Sequence, residues 1–273
     1  MRIRFWKGRR QNDDDLVSGA DWQAEQAGLA LRDGELHHAI RWSDWTVTHT
    51  REIWARWRKR GRDERRVTEV LADRLRDRAL IHHGLGNIGE AIRDATEALA
   101  LFEEGQRVHG VRYPLLVPSC QVLLSELYAQ AGDAAAARRH GRAIEAYERG
   151  LAEGPSLALA RGYNHYGRAM HLIGDPAAAP ALRHAVDLYR HRDVLPDGRY
   201  TAGQFIQTVL LVADTAKPVN AAAAPEILSM LEDAATYARQ LPQFPPRQYY
   251  ADLYVLRRVQ VRMAAWRETL DAP

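Results

Sequence analysis

The 273-residue sequence predicts an all-α fold of about eleven helices. Three observations lead there. Four segments superimpose as helix–turn–helix units, apolar residues recur at helical spacing, and no strand alternation or β-hairpin signal occurs anywhere along the chain. The segments are DGELHHAIRW, LGNIGEAIRD, AGDAAAARRH and IGDPAAAPAL. Each carries a glycine (Gly34, Gly86, Gly132, Gly174) followed five residues later by an alanine (Ala39, Ala91, Ala137, Ala179). A small residue, Ala27, Ala79, Ser125 or Gly167, stands seven positions before each glycine.

The pattern has a packing rationale. Glycine supplies the left-handed turn that ends a first helix, and the paired small residues let two helix backbones approach closely. Helix 35–60 is followed by a turn at Gly61, the expected C-cap. Ile92, Ala95, Leu99 and Phe102 form the apolar stripe of one second helix, and Ala137, Ile144, Tyr147 and Leu151 that of the next. A first helix is expected over 156–173. Asp175 and Pro176 read as N-cap and first helical residue, while Pro180 disfavours helical geometry at Ala179 and moves the expected start toward residue 180. Residues 199–214 and 222–241 read as a fifth, degenerate hairpin. After LPQFPPR, residues 248–270 read as a long amphipathic helix with Tyr250, Leu253, Tyr254, Leu256 and Val261 on its apolar side.

Small residue, turn glycine and alanine together, as in ALIHHGLGNIGEAIRDATEALALF, resemble the tetratricopeptide repeat. Residues 75–102 match best, and the resemblance spans roughly residues 20–190. Successive glycines lie 52, 46 and 42 residues apart, against a family period of about 34. The excess implies longer helices and loops, such as 109–119 and 191–200, in the manner of bacterial sensor and regulator proteins. The resemblance implies a right-handed superhelix of about five antiparallel hairpins plus a C-terminal helix. The organisation expected is a basic/acidic tail over 1–14 and a single repeat domain over 15–270.

The resemblance also implies that the first helix of each hairpin lines a concave groove. On helix 156–173 that face would hold Arg161, Asn164, Arg168 and His171, spaced 3, 4 and 3. Family members use such asparagine and arginine pairs to hold a peptide backbone or carboxylate. Equivalent positions elsewhere are Asp73, Arg76 and His83, then Glu126, then Gln204 and Thr208. A solvated polar face is the plain alternative for all of them.

Composition narrows the function further. One cysteine, Cys120, excludes an internal disulfide framework and multi-cysteine metal sites; it reads as a small buried hydrophobe, the alternative being a thiol activated at a helix start. The sequence has no GxGxxG, Walker, HExxH or GxSxG motif. The pairs His37–His38 and His82–His83 point about 100° apart on a helix and do not share a metal. No enzyme activity, cofactor or metal is therefore expected. No apolar run reaches the ~20 residues of a membrane span, and the basic N-terminus lacks the apolar core of a secretory signal, so a cytoplasmic location is expected.

The formal net charge of +3 is uneven, because residues 1–66 carry 15 basic and 11 acidic side chains. Six of seven tryptophans share that stretch. REIWARWRKRGRDERR, 51–66, can be read as a nucleic-acid contact. A basic helix end complementing the dipole, with Trp42, Trp45, Trp54 and Trp57 on one wide apolar face against neighbouring helices, explains it better. Trp54, Trp57 and Arg58 are a candidate partner surface. The reading is a non-enzymatic scaffold that binds a protein or peptide in its groove, with a possible homodimer through the terminal helices and no nucleic-acid or membrane partner. The alternative is a peptide-sensing or partner-dependent transcriptional regulator acting in trans.

Overall fold

A computed structural model describes residues 13–60, 65–109, 115–151, 156–191, 199–216, 221–240 and 246–271. Every regular element among them is helical: α1 (Asp13–Arg32), α2 (Leu36–Lys59), α3 (Arg65–Gly84), α4 (Ile88–His109), α5 (Leu116–Gln130), α6 (Ala134–Gly141), α7 (Ile144–Gly150), α8 (Leu157–Leu172), α9 (Ala178–Arg190), α10 (Arg199–Ala216), α11 (Ala224–Gln240) and α12 (Pro246–Asp271). A 3₁₀ turn, Ala221–Ala223, leads into α11. Gly61 and most of the tail 1–14 lie outside the described residues. The backbone forms two compact units, the first holding α2–α4 with nearly all of α1 and the second holding α5–α12.

The four repeat glycines are the described residues that turn left-handed, with φ of 78°, 77°, 83° and 70° at Gly34, Gly86, Gly132 and Gly174. After each, the next N–H donates to the carbonyl five residues back, from Glu35 to Ala30, Asn87 to His82, Asp133 to Tyr128 and Asp175 to Met170, at 2.8–2.9 Å. This is the Schellman closure of a helix end. It turns the chain straight into the second helix of the hairpin.

The small residues then meet across the hairpin. Ala79 and Ala91 are fully buried, as are Ser125 and Ala137, and the Ser125 hydroxyl donates to the Ala137 carbonyl at 2.7 Å. At Gly167 an added Cβ would stand 2.8 Å from Leu182 Cγ and 3.0 Å from its backbone nitrogen. The fourth hairpin departs from the expected register. Asp175 Oδ1 accepts from the Ala177 N–H at 3.1 Å, but Pro176 and Ala177 form a turn and α9 starts at Ala178. Ala178 is thereby buried and Ala179 exposed. Pro180 is tolerated in the first helical turn, where no intrahelical N–H bond is lost. The Ala177 N–H, joined by Arg138, holds the Asp175 carboxyl below the usual carboxylate range.

The stripe from Ala137 to Leu151 belongs to two helical segments, not one. The helix breaks at Arg142–Ala143, where the Ala143 N–H bonds back three residues to His140. Gly141, just before the break, packs against Ser125, Tyr166 and Met170. Counting α6 and α7 together leaves eleven α-helices among the described residues.

In the first unit α3 packs against α2 and α4. Arg78 Nε and Nη2 donate to both oxygens of the buried Asp94 at 2.6 and 2.7 Å, and Arg78 Nη1 reaches Asp44 at 3.2 Å. Burial works against the charge, yet the bonds and charge of Asp94, with Asp44, leave the Arg78 pKa above its ordinary value. The tryptophans do not form the single inward face expected. The buried side of α2 is Ala39, Ser43, Thr46, Val47, Thr50 and Ile53, while Trp45 is 45% exposed. Small and β-branched residues fill that tight helix contact, and the larger indoles flank it.

The second unit packs neighbour to neighbour, α5 on α8, α8 on α9, and so on to α12. Its core centres on Leu182, Tyr189, Phe205, Ile206, Ile227 and Met230. The last helix buries Val259 and Trp266, with Val255, Leu256 and Met263 beside them. Val261, expected on the apolar side, is 57% exposed, because the packed positions follow a register set by Val259. The side chains of Tyr250, Leu253 and Tyr254 lie outside the described residues.

Gly167→Ala forces Leu182 and its backbone aside and is expected to destabilise the second unit by roughly 1–3 kcal/mol in urea unfolding. Gly203→Ala, at a helical glycine with open space around it, is expected to stabilise by up to about 1 kcal/mol.

Candidate binding cleft

α5, α8 and α10 are the first helices of the second unit's hairpins, and polar side chains connect their common face. Glu126 on α5 has no exposed surface, so its carboxylate needs partners on every side. It has them. Arg168 Nε donates to Oε1 at 2.7 Å, Gln130 Nε2 to the same oxygen at 3.0 Å, and His165 Nδ1 to Oε2 at 2.6 Å. Arg168 Nη1 extends the chain to Gln207 Oε1 on α10 at 3.0 Å. Two further bonds join α8 to α10: Thr208 Oγ1 donates to Asn164 Oδ1, and Arg161 Nη2 to Thr201 Oγ1, both at 2.7 Å.

A cleft of about 420 Å³ opens beside this network, among Gln130, Arg168, His171, Gln207, Asp214 and Arg258, with Leu172, Leu210 and Leu211 as its apolar surface. Leu172 is 52% exposed. Asp214 receives Arg262 Nε at 2.6 Å, and Arg168 is matched by Glu126. Arg258 has no ion-pair partner among the described residues, so the lining carries an excess of positive charge.

The predicted stripe on α8 therefore divides. Arg168 and His171 line the cleft. Asn164 is 1% exposed and, like Arg161, is spent on α10. Gln204 lies one turn before Thr208, and its backbone carbonyl, 2.7 Å from the same hydroxyl, shares that single proton with Asn164 Oδ1. Glu126 and Thr208 are both fully buried. Arg76 and His83 sit on α3 of the first unit, where Arg76 pairs with Asp73 at 2.5 Å and with Asp77 at 3.1 Å; both are half-buried. Trp54 and Trp57 pack on Ile53 and Val67, Trp54 Nε1 donates to Thr68 at 3.0 Å, and the Arg58 guanidinium lies 5.1 Å over the Trp54 ring. The more exposed indoles stand nearer the other end of α2. Trp22 and Trp45 are edge-on to Trp42, at 5.2 and 5.6 Å, beside a hollow lined by His38, Arg41, Trp42 and Trp45. Cys120 is buried.

Sequence reasoning missed His165, Gln207, Leu172, Asp214 and Arg258. His165 had a signal: it stands three residues before Arg168 on the side of α8 that meets Glu126. Arg258 had none, because its place at the cleft depends on how α12 folds back.

No protein-family model and no curated protein matches the chain. Among solved structures it is similar to BtubC from P. vanneervenii, at 15% identity over 93% of each chain and a TM-score of 0.48. A kinesin-light-chain-type protein of nearly identical TPR-like repeats from Podosopora anserina gives 17% identity over 93% of this chain and 98% of that one, with a TM-score of 0.41. The de novo designed helical repeat protein DHR64 gives 14% identity over 96% and 100%, with a TM-score of 0.30. The chain's own glycine turns and small-residue contacts make its hairpins tetratricopeptide-like.

Asn164→Ala removes the buried α8–α10 bond while the Thr208 hydroxyl keeps the Gln204 carbonyl, and is expected to cost about 0.5–1.5 kcal/mol in urea unfolding. His171→Ala, at the exposed rim, is expected to change stability by no more than about 0.5 kcal/mol.

Proposed function

We propose that the second unit binds an extended peptide or protein segment in the cleft framed by α5, α8, α10 and α12. The observation that carries this reading is the fixed polar rim beside exposed leucine. Arg168 is held by Glu126 and in turn holds the Gln207 carbonyl oxygen, which leaves the Gln207 –NH₂ as a donor at the cleft. Peptide carbonyls accept from such a donor, and an apolar side chain of the same segment covers Leu172 and Leu211. Arg258 suits acidic or carbonyl groups on that segment. The volume holds a few side chains rather than a whole domain, in the range of small ligand pockets. His171 adds a further polar contact at the mouth. Catalysis plays no part in this reading, whose chemistry is hydrogen bonding and apolar burial.

Panning a random peptide library against the intact protein, followed by calorimetry on the recovered peptides, tests the assignment. Leu172→Asp combined with Gln207→Ala changes two exposed side chains and leaves the bonds to Glu126 itself in place. Affinity is expected to fall at least about tenfold, as for loss of central contacts. Peptides that bind both proteins equally well place the site elsewhere.

A further inference from the structure

α12 ends the second unit with one face packed and the opposite face exposed. Val259 and Trp266 are buried on the packed side. On the other side Arg257, Val261, Ala264 and Glu268 are all exposed, at spacings of 4, 3 and 4. That spacing keeps them in a single stripe along the helix. The neighbouring cations are engaged within the unit, Arg262 with Asp214 at 2.6 Å and Arg267 with Glu232 at 3.5 Å. Arg257 and Glu268, by contrast, have no ion-pair partner among the described residues. Val261 and Ala264, flanked by Arg257 and Glu268, form a small apolar strip with opposite charges at its ends.

This strip is complementary to itself when reversed. In an antiparallel pairing about a two-fold axis between Arg262 and Met263, Arg257 of each copy faces Glu268 of the other. Val261 then faces Ala264, and the small alanine side chains allow the helix axes to approach at the short end of the usual 8–10 Å range. Parallel pairing would set each charge against its own like. We infer that the exposed face of α12 is a homodimer interface, occupied by α12 of a second copy in antiparallel orientation. The contact is isologous, so one patch suffices for closure and no further subunit adds. A single helix pair buries less than a standard interface, which makes the dimer reversible and concentration-dependent.

Charge reversal tests both the partner and the register. Sedimentation of the intact protein over a range of micromolar concentrations is expected to show a monomer–dimer equilibrium. Arg257→Glu sets glutamate against glutamate at both ends, and Glu268→Arg sets arginine against arginine; each is expected to raise the dimer Kd at least tenfold. Mixing the two single variants restores opposite charges at both ends, and so does the double variant R257E/E268R, so both samples are expected to regain dimer. Both positions are exposed, and unchanged helical circular dichroism confirms the fold. A wild-type protein that stays monomeric, single variants that dimerise normally, or a mixture and double variant that remain monomeric would each overturn the inference.

Discussion

Close approach of two helix backbones within the hairpins α3–α4, α5–α6 and α8–α9 is the constraint on which the rest of the structure depends. A left-handed glycine ends the first helix, and the six-to-one hydrogen bond after it starts the second helix at once. In these hairpins Ala79 and Ala91 are fully buried, Ser125 bonds the Ala137 carbonyl, and Gly167 leaves no room for a Cβ beside Leu182. Dispersion rewards such contact because many atom pairs reach optimal separation together. Larger side chains are pushed outward from the contact, where they pack one hairpin on the next. Phe205, for example, meets Tyr189 and Tyr237 edge-on at 5.9 and 5.2 Å.

Apolar packing of this kind is not strongly directional, and each unit adds a buried carboxylate that is. Asp94 receives both arms of Arg78 in the first unit, and Glu126 receives Arg168, His165 and Gln130 in the second. Burying a charge is costly, and the pair returns little net stability even with good geometry. Breaking one is a different matter, since the remaining charge is left in a low-dielectric site. Such pairs therefore penalise a slipped helix register more than they reward the correct one. Ser125 Oγ on the Ala137 carbonyl does the same on a smaller scale.

The hairpins were legible in the sequence because glycine, alanine and their spacing are local signals. Gly34, Gly86, Gly132 and Gly174 all turn as the pattern required. What was not legible depended on tertiary register. Asn164 and Arg168 share a face by counting, yet Thr208 draws one inward while Glu126 holds the other at the cleft. Helical spacing does not distinguish them, because the difference lies in which residue of the next hairpin stands opposite. The same holds for α12, whose apolar residues outnumber the packed positions. Val261 and Val259 look alike in sequence, and only the docking of Trp266 decides which of them is buried.

The Glu126 network also bears on the proposed binding, because a surface of long side chains is otherwise costly to order. An arginine or glutamine in solvent loses up to about 2 kcal/mol of rotamer entropy when a ligand fixes it. Here Arg168 and Gln207 are already fixed by their bonds to Glu126 and to each other, so that cost falls on folding and not on binding. On α12, adjacent residues serve different surfaces: Arg258 lines the cleft, while Arg257, about 100° around the helix, lies on the outward stripe. Self-association through that stripe, as proposed, would use a face of α12 other than the one that bears Arg258. Such a two-fold pair would present two identical clefts, and a partner with two matching segments would gain from the high effective concentration of the second site once the first is filled. Weak affinity at a single cleft is then compatible with firm binding by the pair.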